Sequence, residues 1–173
     1  MPKILTAAIG SAIMNMNQAN DKKRIESKVE VQTYIDRLKY AIQSGSVIVN
    51  FQKDRLIDEK RNKKHTNRYT MSLLFQDEDE VDALKRELAY LTVGEYIETV
   101  QDLRFPNKTE MRVFGKKYLK EDVYIKIRVE LVSISHANGD KFIFVMSFHF
   151  SERDFNKSDF PYRKSRGESN EEN

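Results

Sequence analysis

Tyr124, Lys126 and Arg128 fall at alternate positions of the run Val123–Leu131, so on a strand their side chains leave one face together. Arg112 lies in a shorter run, Met111–Phe114, and His149 stands near the end of another, Phe142–Phe150. These residue types suit RNA cleavage without a metal. In that reaction the 2′-hydroxyl attacks its own phosphate, so the protein supplies no nucleophile. It supplies a group to take the hydroxyl proton, a group to protonate the leaving 5′-oxygen, and cations for the charge gathering on the phosphorane. His149, Tyr124 and Arg112 are the candidate catalytic groups, and Lys126 and Arg128 the candidate phosphate holders. A second basic cluster, Lys60, Arg61, Lys63, Lys64 and Arg68, lies in the glycine-free segment Lys53–Thr70, read as a long RNA-binding loop. The same residues admit a plainer reading. Tyr124, Lys126, Arg128 and Glu130 also fit the wet face of a half-buried strand, His149 a satisfied core histidine, and the basic cluster a solvated loop.

Other chemistries lose their footing in the composition. The chain has no cysteine, which removes disulfides, thiolate metal sites and cysteine nucleophiles together and suits a reducing cytosol. Its histidines, His65, His136 and His149, are not paired at metal-ligand spacing. There is no phosphate-gripping glycine loop, no HExxH and no GxSxG. No metal or cofactor is expected. A net charge of +3 is too small to coat nucleic acid by bulk attraction, so any such contact must come from clustered charge. The apolar stretch Ile4–Met14 is about half the length a bilayer crossing needs. No membrane association and a cytoplasmic location are the expectation.

The elements that would position these groups can be read from periodicity and capping. Ser27 with Glu30, Asp77 with Glu80, and Thr92 with Glu95 each have capping-box spacing, which predicts three helix starts. The first helix carries Val31, Ile35, Leu38 and Ile42 and stops at Ser44-Gly45; the second carries Val81, Leu84 and Leu88. The third, short, turns Val93, Ile97 and Val100 inward and ends before Pro106. Ser46–Gln52 and Met111–Phe114 read as strands, Val123–Leu131 as the clearest one, and Phe142–Phe150 as a central strand buried on both faces. Asn138-Gly139 supplies a hairpin turn. The fold class expected is α+β: a C-terminal antiparallel meander packed by about three helices. Residues 1–26 read as an N-terminal helical arm, 27–151 as the domain and 152–173 as a flexible polar tail.

Four segments taken in order resemble a known family. Val31–Val49 (VQTYIDRLKYAIQSGSVIV), Leu91–Val100 (LTVGEYIETV), Asp122–Val129 (DVYIKIRV) and Ile143–Phe148 (IFVMSF) are similar to the opening helix and strand, the short helix and the two final strands of MqsR-like toxins. Those toxins are in turn similar to RelE-fold ribonucleases, which cut RNA without a metal. The resemblance implies an endoribonuclease with Tyr124 at the tyrosine of a VYLK-like motif and His149 at the basic position after a VSF-like motif. Arg112 falls near the polar position of the preceding strand. It also implies departures: Glu98 stands where the family has lysine, and Ile97 where it has tyrosine. The chain further resembles proteins of mobile elements, including type II anti-CRISPR proteins. That likeness implies RNA, an antitoxin or a Cas9–guide RNA complex as partner. The alternative it leaves open is a non-catalytic inhibitor that binds a nucleoprotein such as Cas9.

Overall fold

The computed structural model of the protein describes residues 21–131 and 141–164. It is α+β: three α-helices and one mixed six-stranded sheet among the described residues. Helix α1, Lys28–Gln43, begins at the expected capping box, where Ser27 N–H donates to Glu30 Oε2 at 2.7 Å and Ser27 Oγ accepts from Glu30 N–H at 3.3 Å. It buries Val31, Tyr34, Ile35, Leu38 and Ala41 and ends at Ser44, after which Gly45 takes a left-handed φ of 73°. Strand β1 is Asp21–Arg24 and β2 is Ile48–Phe51; α2 is Asn67–Leu74 and α3 is Glu80–Ala89. Strands β3, Tyr96–Asp102, β4, Met111–Tyr118, β5, Glu121–Leu131, and β6, Lys141–Phe150, complete the sheet.

The sheet order is β1-β3-β4-β5-β6-β2. The antiparallel meander β3 to β6 lies at its centre, β1 adds antiparallel to β3, and β2 adds parallel to β6. The helices lie on one face, where Leu38, Leu84, Leu88, Met71 and Phe75 meet Phe114, Ile125, Ile127, Val145 and Phe148. A two-residue turn joins β4 to β5, with Leu119 and Lys120 both at positive φ (50° and 67°), the backbone that lets a hairpin keep its twist.

Several elements differ from the sequence reading. The third capping box forms, with Thr92 N–H donating to Glu95 at 2.9 Å, but it closes only a single 3-10 turn, Val93–Glu95. The chain then runs on as β3, because β1 and β4 offer ladder partners on both sides and Ile97, Thr99 and Val100 are β-branched. The second helix is capped by Asp79, not Asp77; the Asp79 carboxylate accepts from Val81 N–H and Asp82 N–H, each at 3.0 Å. The segment Lys53–Thr70 is not a free loop. It holds two 3-10 turns, Leu56–Lys60 and Lys63–His65, and the start of α2. The expected arm lies outside the described residues up to position 20, while its end, Asp21–Arg24, is an edge strand. The expected tail begins with a packed segment: Phe160 is buried, and Tyr162 Oη donates to the Glu26 carbonyl at 2.5 Å. The Asn138-Gly139 turn lies outside the described residues.

The register of β6 contains the decisive irregularity. Val129 and Ile127 of β5 face Ile143 and Val145, but Lys126 faces Ser147, so Met146 is an extra residue. The bulge inverts the alternation. Before it, Ile143 and Val145 point into the core; after it, Phe148 and Phe150 do, and Ser147 and His149 turn to the opposite face. One side chain holds this arrangement. Asn67, at the start of α2 and 1% exposed, donates through Nδ2 to Met146 O at 3.0 Å and Gln52 O at 2.6 Å, and accepts from Phe148 N–H at 2.9 Å. Thr70, one turn on, accepts from Phe150 N–H at 2.9 Å. These two side chains stand in for the ladder that β2 would supply if it ran further. Asn67→Ala leaves buried backbone groups on β6 unpaired. The expected loss of stability is about 2–4 kcal/mol in urea unfolding, well beyond the few tenths expected at an exposed site such as Lys28.

Candidate active site

The face of the sheet away from the helices carries an open cleft of about 670 Å³. Its floor is a two-by-two array: Tyr124 opposite His149 and Lys126 opposite Ser147, on adjacent strands β5 and β6. Asp21 and Lys23 of β1 and Ile97 and Glu98 of β3 form one wall, and Arg55 and Arg61 reach in from the segment before α2. Phe155 and its neighbours after β6 close the end. Gly115 of β4, the cross-strand partner of Tyr124, makes room for that ring: a Cβ there would lie 2.6 Å from Phe155 Cε2.

His149 and Tyr124 stack, with ring centroids 5.6 Å apart and planes at 23°. His149 Nδ1 lies 2.9 Å from the Phe150 carbonyl, which can only accept, so the ring carries its proton on Nδ1 and its lone pair on Nε2. The same carbonyl accepts from Nδ1 of His65 at 3.0 Å. Neither His149 Nε2 nor the Tyr124 hydroxyl makes a hydrogen bond to another described residue. Burial pushes the His149 imidazole down to about 4, with the charges of Arg61 and Arg55 acting in the same direction against the Phe150 bond. It is neutral at pH 7. Burial, helped by the charge of Glu98, pushes the Tyr124 phenol well above its usual range. Burial also lowers the Lys126 ammonium, against the attraction of Asp21, whose carboxylate is 3.9 Å away.

The other expected site residues fare differently. Arg112 is not part of the cleft. It pairs with Ile127 on the helix-facing side of the sheet, where its guanidinium stacks on Tyr34 at 4.3 Å and binds both carboxylate oxygens of buried Glu26, at 2.7 and 3.1 Å. Strand alternation is the reason: a residue opposite Ile127 must share its face. Burial favours a protonated Glu26, but the bonds from Arg112 and Thr99 outweigh it and hold the carboxyl below its usual range. Arg128 shares the cleft face yet lies outside the cleft, stacked on Phe144 at 4.9 Å and ion-paired with Glu130 at 2.8 Å.

Of the basic cluster, only Arg61 lines the cleft, and it is paired with Glu152 at 2.8 Å. Lys64 pairs with Glu121 and Arg68 with Asp54, while Lys60 and Lys63 project into solvent. The 3-10 turns between Leu56 and His65 aim the lysines outward and leave the cleft to Arg55 and Arg61. Sequence reasoning missed Arg55, whose only sequence signal is its place at the start of a charged segment. Its Nη1 donates to Ser147 Oγ at 3.4 Å, and it has no carboxylate within ion-pair distance among the described residues. The neighbouring carboxylates Glu78, Asp79 and Glu80 are likewise employed locally: Asp79 caps α3, Glu80 pairs with Lys53 at 2.6 Å and Glu78 with Arg86.

Among the described residues no three histidine, aspartate or glutamate side chains converge as metal ligands, and no helix is long and apolar enough to cross a membrane. Comparison with protein-family models, with curated proteins and with solved structures found no match.

A histidine that must stay neutral to remain buried makes stability depend on pH with a definite sign. Its folded value near 4 lies below the unfolded value near 6.5, so the unfolded chain binds the proton first as pH falls. Stability from this group is complete above about pH 6.5 and is lost as pH falls toward 4, by roughly 3 kcal/mol. Urea midpoints measured across that window should fall for the native protein, and His149→Gln should flatten the dependence.

Proposed function

We propose that this protein is a metal-independent endoribonuclease and that the cleft above Tyr124 and His149 is its active site. The observation that carries the reading is the cross-strand stack itself. A neutral imidazole, with its tautomer set by a backbone carbonyl, offers a free Nε2 lone pair to an open cleft that also holds a tyrosine hydroxyl and a lysine.

In the proposed reaction His149 Nε2 takes the proton of the 2′-hydroxyl as the 2′-oxygen bonds to phosphorus. The bond from phosphorus to the 5′-oxygen breaks, and that oxygen takes a proton from Tyr124, which burial keeps protonated. Lys126 faces the phosphorane charge. The products are a 2′,3′-cyclic phosphate and a 5′-hydroxyl end. Arg112 takes no part.

The resemblance to MqsR-like toxins supports the same chemistry, since its tyrosine and basic positions fall on the two stacked residues. The biological setting that fits is a mobile-element toxin or an anti-CRISPR protein that cuts guide RNA, acting in the cytoplasm. The second reading is a non-catalytic inhibitor that docks on a nucleoprotein such as Cas9. Glu98 favours it: this carboxylate lines the cleft, held by Lys23 at 3.0 Å, where the family has lysine.

The deciding experiment is incubation with labelled total RNA and with Cas9-bound guide RNA in EDTA. The expected result is discrete cleavage with 2′,3′-cyclic phosphate ends, reduced at least about a hundredfold by His149→Ala and less severely by Tyr124→Phe. RNA left intact in both mixtures overturns the catalytic reading, and tight binding to the nucleoprotein without cleavage favours the inhibitor.

A further inference from the structure

Arg55 is the cleft's surplus cation. Burial, with the charge of Arg61 nearby, lowers its guanidinium below the usual arginine value, against the pull of Asp58, whose carboxylate accepts from the Arg55 backbone N–H at 3.2 Å. The carboxylates that line the cleft stand with other cations. Glu98 is held by Lys23, Glu152 by Arg61 and Asp159 by Arg153, while Asp21 stands nearer Lys126. Directly below, Arg55 Nη1 meets the Ser147 hydroxyl at 3.4 Å, and Ser147 is the cross-strand partner of Lys126. A guanidinium from above, an ammonium from the floor and a hydroxyl between them match the donors that a tetrahedral phosphoryl oxygen set accepts.

We propose that Arg55, Ser147 and Lys126 form a phosphate seat and that the cleft's ligands are phosphate esters gripped there. Its role in cleavage rests on the ribonuclease reading above; the binding does not. His149 follows Ser147 by two residues on one strand face, a spacing of about 7 Å. A phosphate on the seat therefore lies within a nucleotide's length of the stacked Tyr124 and His149. The seat would hold either a free phosphate monoester or the diester of an RNA chain, since both present the same oxygens.

The test is titration of the intact protein with inorganic phosphate, and separately with a short single-stranded RNA whose 2′-hydroxyls are all methylated to block cleavage. Binding is read by ¹H–¹⁵N NMR and calorimetry. Shifts are expected at Ser147, Lys126 and the Arg55 side chain. Arg55→Gln should weaken binding about tenfold or more, with Arg55→Lys falling between. Lys60→Gln makes the same charge change in the same segment but outside the cleft, and should leave affinity unchanged. Arg55 makes one side-chain hydrogen bond, so unchanged thermal unfolding of the variant guards against a folding defect. Equal losses in Arg55→Gln and Lys60→Gln would reduce the effect to diffuse charge and overturn the seat, as would shifts that map elsewhere. Phosphate binding that depends on Arg55 in a protein that cuts no RNA would keep the seat and remove the ribonuclease. RNA cleavage and phosphate binding that are both indifferent to Arg55→Gln would keep the ribonuclease and overturn the seat.

Discussion

The hydrogen bonds that Asn67 makes to the Met146 bulge are the constraint on which the cleft depends. A β-strand has only two faces, so one inserted residue exchanges them for everything downstream. Were β6 regular, His149 would follow Ile143, Val145 and Ser147 into the apolar core beneath the helices. With the bulge it stands beside Tyr124 on the other face, and Phe148 and Phe150 fill the core in its place. Bulges of this kind leave backbone groups without ladder partners, and such groups are costly when buried. The amide of Asn67 supplies both a donor and an acceptor, so one residue satisfies the irregular backbone and sets which side chains reach the cleft.

Around that floor, charge is arranged by burial. Arg112 and Glu26 pair on the helix side, where Tyr96, Thr99 and Tyr162 complete a network joining the start of α1, β3, β4 and the segment after β6. Removing one member would leave a charge or a polar group stranded, so this network ties distant parts of the chain together. On the cleft side the pairs are looser and nearer solvent. Most cations there already have a carboxylate, and the contrast singles out Arg55. Part of the wall comes from the two regions the sequence marks as peripheral, the strand Asp21–Arg24 and the segment that follows Phe150.

The parts of this fold that were legible are those set by local rules. Capping at Ser27, the apolar stripe of α1, the stop at Ser44-Gly45 and the alternation of Val123 to Leu131 all depend on residues within a few positions of one another. Where two local rules compete, the neighbours decide. Val93 to Val100 carries both a helix start and β-branched residues, and it became a strand because open ladder edges awaited it on either side. The segment before α2 looked like a loop because its pinning contacts, such as His65 with Phe150 and Asn67 with Met146, span about eighty residues of sequence.

The sequence by itself determined the α+β class, the meander and the common face of Tyr124, Lys126 and Arg128, since a period of two is a property of the strand alone. It could not determine which face His149 takes. Phe142 to Phe150 is apolar at nearly every position, so neither parity is favoured by burial and a bulge leaves no trace in the pattern. Nor could it place Arg112 away from the cleft or Arg55 within it, because both depend on register and on how a distant segment folds back. Those choices were made by tertiary contacts: Ile127 opposite Arg112, Asn67 at the bulge, and Ser147 beneath Arg55. Local chemistry proposes the groups, and only the packing of the whole sheet decides which of them meet.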